Sequence, residues 1–111
     1  MSSSEIITKQ IEAYNKKDLK GNIQLFSENF KIIQFPDNSV LVDGKDACEK
    51  MYKDLFDNSP NLKAEVISRI NYGNKIILHE VIYGRYGKNE GLEQLIMFEI
   101  VENKIERIYK F

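Results

Sequence analysis

In the first half of the chain apolar positions recur every three to four residues, and in the second half every two, so helices are expected first and strands afterwards. Ser2, with Glu5 three positions on, fits a capping box in which each side chain satisfies an exposed backbone donor at a helix start. In the helix that follows, Ile7, Ile11 and Tyr14 fall on one stripe while Lys9, Glu12 and Lys16 point to water. Asp18 suits the cap of a second, short helix whose Ile23 and Phe26 share a face, with Ser27-Glu28-Asn29 ending it. Phe30 to Phe35 reads as a strand, Pro36-Asp37-Asn38-Ser39 as a turn, and Val40-Leu41-Val42 as a short strand or extended edge.

From Lys45 to Asp57 the helical period returns. Ala47, Met51 and Leu55 repeat every four residues, Cys48, Tyr52 and Phe56 lie one step round, and Asn58-Ser59-Pro60 stops the helix. Beyond it Leu62 to Ile70 alternates apolar and polar positions and Tyr72-Gly73-Asn74 supplies a hairpin turn. Three more strands are expected at about Lys75 to Tyr86, Leu92 to Val101 and Ile105 to Phe111.

This pattern needs one domain, residues 1 to 111, and a chain of that length hides roughly two-thirds of its unfolded surface without needing metals or disulfides. Cys48 is the one cysteine, and the acidic Asp46 and Glu49 beside it disfavour a thiolate, so it is expected to fill core. With 16 basic and 17 acidic side chains, the net charge of -1 offers no field for nucleic acid or an anionic membrane. No apolar run approaches the roughly 20 residues that span a bilayer. Because Met1 to Glu5 carries no basic start and no long apolar run follows, a cytoplasmic protein is expected. The lone His79 and Cys48 lack the local spacing of a zinc site, so neither a metal nor another cofactor is expected. No phosphate loop or nucleophile elbow is present.

Four local patterns then point to a family. They are Ile11 to Leu19 (Ile-Glu-Ala-Tyr-Asn-Lys-Lys-Asp-Leu), Leu25 to Phe30 (Leu-Phe-Ser-Glu-Asn-Phe), Gly44 leading into the third helix, and Asn103-Lys104-Ile105 opening the last strand. Together, over essentially the whole chain, they resemble the SnoaL-like and ketosteroid-isomerase-like members of the NTF2-like superfamily. The resemblance implies an α+β, cystatin-like cone: three helices packed on a strongly curved mixed or antiparallel sheet, with a pocket between its concave face and the third helix. It also implies a homodimer packed through the outer face of the sheet, and Leu95, Met97 and Val101 provide apolar surface there.

Carried over residue by residue, the isomerase tyrosine falls near Gln10, its base near Gln34 or Phe35, and its second acid near Ile96. None of these side chains performs the family's part, so ketosteroid isomerisation is not expected. The Asp-Arg-Asp set of the epoxide-hydrolysing branch has no aspartates to supply it in the last strands. The cyclase pattern has an aspartate and a histidine in the sheet; His79 matches the histidine, and the acid is missing unless Glu80, Glu93 or Glu99 substitutes.

Strand parity decides what lines the pocket. The match of Ile96 places Gln94, Ile96, Phe98 and Ile100 inward. In the preceding strand the set His79, Val81, Tyr83 competes with Ile76, Leu78, Glu80, Ile82, and the first is favoured because it brings His79 and Tyr83 beside Gln94 and Phe98. Glu80 would then lie outside near Arg69 or Arg85. An imidazole exchanges protons around neutrality, which suits a role in catalysis, although a histidine simply hydrogen-bonded to backbone or a tyrosine fits as well. The expected ligand-binding residues are Tyr14, Gln34, Tyr52, Phe56, His79, Tyr83, Gln94 and Phe98, suited to a small apolar or aromatic organic molecule. Two functions remain open: a small-molecule-binding domain with possible isomerase or cyclase chemistry, and a non-catalytic dimerisation or accessory module.

Overall fold

A computed structural model describes all residues, 1 to 111. Helix α1, Ser3–Lys16, begins with the capping box: Glu5 N–H donates to Ser2 Oγ at 3.1 Å and Ser2 N–H to Glu5 Oε1 at 3.3 Å. It ends where Lys17 turns left-handed and its N–H reaches the carbonyls of Ala13 and Tyr14. Ile6, Ile7, Gln10 and Ala13 form its buried stripe, with Ile11 and Tyr14 half-buried beside them. Asp18 caps the short helix α2, Leu19–Ile23, by accepting from Gly21 N–H.

Strand β1, Phe26–Gln34, corrects the expected boundary, because Phe26 opens the strand and does not close the helix. Phe26 pairs with Ile105 and Lys31 with Arg107, so five steps along β1 span only two along its neighbour. A bulge of this kind bends a strand sharply. It brings the fully buried rings of Phe26 and Phe30 edge to face, 4.7 Å apart.

Strand β2, Ser39–Asp43, leads through Gly44 into helix α3, Lys45–Asp57. The buried face of α3 is Cys48, Tyr52, Leu55 and Phe56, while Ala47 is exposed. Strands β3 (Lys63–Tyr72), β4 (Lys75–Tyr83), β5 (Leu92–Val101) and β6 (Lys104–Lys110) follow, with a single 3₁₀ turn at Arg85–Gly87 after β4. β4 therefore stops at Tyr83, three residues before the expected Tyr86, and Gly84 follows it with a φ of +75° in a place where a Cβ would meet the Asn61 carbonyl, so glycine is needed there.

The six strands form one mixed sheet in the order β2-β1-β6-β5-β4-β3, parallel only between β1 and β6. Together with the three helices this is the expected α+β architecture. The helices cover one face, and a core cluster of 21 buried residues fills the space between. Asn15 behaves as an extra sheet partner, accepting from Ala64 N–H at 2.7 Å and donating to Ala64 O at 3.2 Å, which anchors α1 on β3. Arg69, expected near Glu80, instead ties β3 to α1 through Ser4 and Thr8. No helix is long and apolar enough to cross a membrane.

Candidate functional site

Sheet register determines what faces the helices. Residues directly opposite in an antiparallel pair point to the same side, and β4 meets β5 with Glu80 opposite Gln94, Leu78 opposite Ile96 and Ile76 opposite Phe98. Because Gln94, Ile96 and Phe98 face inward as expected, Ile76, Leu78, Glu80 and Ile82 must do so too. All four are buried, and Glu80 is only 5% exposed.

This overturns the expected placement of His79 and Tyr83. His79 lies opposite Leu95 on the convex face, where its Nε2 meets Glu93 Oε2 at 2.7 Å. Tyr83 shares that parity and is 39% exposed. The more apolar set, with three large aliphatic side chains in four, wins the interior because burying them yields more than burying His79 and Tyr83. That comparison is the signal by which sequence reasoning could have found Glu80.

Two adjoining cavities occupy the space between the concave face and helices α1 and α3, with volumes of about 50 Å³ and 90 Å³. Tyr14, Tyr52, Gln94, Ile96 and Ile108 line both. The inner one adds Gln10, Glu80 and Phe98; the outer one adds Ile32, Met51, Leu55, Arg85, Tyr86 and Lys110. Of the expected binding residues, Tyr14, Tyr52, Gln94 and Phe98 therefore come together. Phe56 sits behind them, its ring 5.8 Å from those of both Tyr14 and Tyr52. Gln34 lies outside the lining, its amide donating to the carbonyls of Phe35 and Lys110 at the sheet edge.

The interior is electrostatically unusual at one point. Glu80 has one hydrogen-bond partner, the Gln94 amide, which donates to Oε1 at 2.6 Å. Burial raises its carboxyl above the usual carboxylate range, and the Gln94 bond only partly offsets this. Burial likewise pushes the Tyr14 and Tyr52 phenols up, with the nearby Glu80 acting in the same direction and Arg85 against it. Both hydroxyls thus remain protonated donors at physiological pH. Cys48 is fully buried and its thiol is pushed up to about 12 by burial, which suits core packing and not nucleophilic attack. No three His, Cys, Asp or Glu side chains converge on a common point.

The geometry has counterparts elsewhere. A family model described as the SnoaL-like domain matches residues 7–108. An uncharacterised cystatin-fold protein from Novosphingobium aromaticivorans superposes with a TM-score of 0.89 at 18% identity, over 100% of this chain and 98% of that one. A protein of ketosteroid isomerase-like fold from Catenulispora acidiphila, solved with trimethylamine, gives a TM-score of 0.78 at 12% identity, over 96% and 84% of the two chains. A computationally designed 17-OHP binder gives 0.84 at 12% identity, over 100% and 92%. No curated protein matches the sequence.

Proposed function

The chain belongs to the SnoaL-like domain family, and from that premise we propose that it binds a small organic molecule between α1, α3 and the concave face, with Glu80 moving a proton on it. The observation carrying this reading is the Glu80 carboxyl: buried in a cavity wall, partnered by one amide, and close to two tyrosines that keep their protons. A carboxylate with a raised pKa is a stronger base than one in water, and general acid–base groups are placed and tuned in this way.

For a ligand with a carbonyl group, the Glu80 carboxylate takes a proton from the adjacent carbon. The electron pair moves to the carbonyl oxygen, which accepts a hydrogen bond from Tyr14 or Tyr52, and the same carboxyl then returns the proton to carbon. Donors aimed at a developing oxyanion are among the strongest catalytic contributions. The cavity volumes lie well below the roughly 300 Å³ at which drug-sized ligand pockets begin, so a monocyclic or short-chain molecule fits this reading and a steroid does not.

Exchange of the α-hydrogens of cyclohexanone in D2O, followed by proton NMR, tests the proposal. The protein is expected to accelerate exchange, and Glu80→Gln to remove about a hundredfold or more of that acceleration. No acceleration by the unaltered protein, or full acceleration by the variant, would refute the role of Glu80.

The convex face supports a second element, a homodimer. Ile70, Ile77, Leu95 and Met97 lie side by side there by strand register, with Ile70 56% and Leu95 40% exposed. Contiguous apolar surface of this kind marks interaction sites. Light scattering at micromolar concentration is expected to give twice the chain mass of 13.0 kDa, and a clean monomer would rule the dimer out.

A further inference from the structure

The outer cavity is bordered by two cations with no acidic partner. Arg85 and Lys110 are both half-buried in its lining, yet every ion pair in the fold involves other residues. Each is held in place by its backbone. The turn carrying Arg85 is pinned to the end of α3, because Tyr86 N–H donates to Ser59 Oγ at 2.8 Å and the Tyr86 hydroxyl to Asp54 Oδ2 at 2.9 Å. Those bonds direct the Asp54 carboxylate toward Tyr86 and Asn58. The carbonyl of Lys110 accepts from Phe35 N–H and from the Gln34 amide, so β6 holds its last residue against β1.

Two like charges sharing a partly dehydrated opening are costly unless something neutralises them. The cost is visible in Lys110, whose ammonium is held below the usual lysine range first by burial and then by Arg85. Glu80 does not neutralise them: it lies in the inner cavity, bonded to Gln94. Between the two ends run the aliphatic side chains of Ile32, Leu55, Ile96 and Ile108 and the two tyrosine rings.

We infer that the mouth formed by Arg85 and Lys110 is a carboxylate-binding subsite, and that the ligand is a small organic acid whose apolar or aromatic body enters the cavity while its carboxylate stays at the opening. This rests on the cavity being a binding site and names the class of molecule it takes. Arg85 offers the planar fork that matches a carboxylate with two parallel hydrogen bonds, and Lys110 adds a second charge. The arrangement also orients the ligand. With the anion fixed at the mouth, only the opposite end of the molecule can approach Glu80, which keeps the ligand's own negative charge away from that carboxyl.

Phenylacetate and its neutral isostere phenylacetamide serve as probes, titrated into the ¹⁵N-labelled protein at low salt and followed through cavity resonances such as the Gln94 side-chain amide. Phenylacetate is expected to bind about tenfold more tightly or better, the size of effect that hydrogen bonds to charged groups confer. Arg85→Met and Lys110→Met are each expected to reduce that preference severalfold, the dispersed spectrum of each variant reporting that it is folded. Equal affinity for the two probes, or a preference that survives in both variants, would overturn the carboxylate subsite while leaving the cavity as a binding site. Failure of both probes to shift the cavity resonances at millimolar concentration would overturn both the subsite and the cavity as a binding site.

Discussion

Phe26→Ala is expected to destabilise the protein by about 3–5 kcal/mol, the usual result of truncating a fully buried phenylalanine. The side chain is 0% exposed and touches two aromatic neighbours, Phe30 at 4.7 Å and Tyr52 at 5.6 Å between ring centroids. Alanine leaves a hole beneath the bulge of β1, where the backbone is already committed to parallel pairing with β6 and cannot close it. Domains of this size have total stabilities of roughly 5–15 kcal/mol, so the melting temperature should fall by about 15 °C or more. Differential scanning calorimetry checks this. A loss under about 1 kcal/mol would mean that the Phe26 site collapses around the smaller residue. Because Phe26 also supports the Tyr52 ring, cavity binding is expected to weaken in the same variant.

The second large effect is a gain. Glu80→Gln is expected to stabilise the protein at pH 7 by about 1 kcal/mol, as relieving functional strain commonly does. The groups facing this carboxyl across the inner cavity are Gln10, Tyr14, Tyr52 and Gln94, none of them a cation. Folding therefore raises the carboxyl pKa above its usual 4.5. Between those two values the folded state holds more protons than the unfolded chain, so stability falls as pH rises through the window and stays lower above it. Glutamine keeps the oxygen that accepts from Gln94 without carrying a titrating proton. The two proteins should thus be nearly equal in stability below pH 4.5 and diverge above it, which urea unfolding between pH 4 and 8 measures. A Glu80 protein that gains stability over Gln as pH rises would show that its carboxylate is favourably paired in the fold.

Much of the architecture was legible in local patterns. Ser2 and Glu5 marked the start of α1, Asp18 the start of α2, and the stripe of Cys48, Tyr52 and Phe56 the buried side of α3. These signals are legible because helix caps and helical periodicity depend on residues within about one turn of each other. The inward face of β5 was legible as well, since Gln94, Ile96, Phe98 and Ile100 sit as the family resemblance implied. So were four lining residues, Tyr14, Tyr52, Gln94 and Phe98.

What local pattern left open was decided at a distance. Apolar residues occupy both parities of β4, so alternation alone leaves two choices that differ by one residue of register and exchange every side chain between the faces. The pairing with β5 made the choice, putting Glu80 opposite Gln94 and sending His79 out to Glu93. Phe26 and Phe30 share a period with both helix and strand, and the parallel partnership with β6 made β1 a bulged strand. Arg85 and Lys110, 25 positions apart in the chain, meet at one opening only because β4 ends at Tyr83, just before the turn that carries Arg85, while β6 runs to the same rim. The types and order of the elements were thus written in the sequence, through interactions that reach a few residues along the chain. The chemistry of the cavity came from the register between strands, which depends on the whole core packing at once.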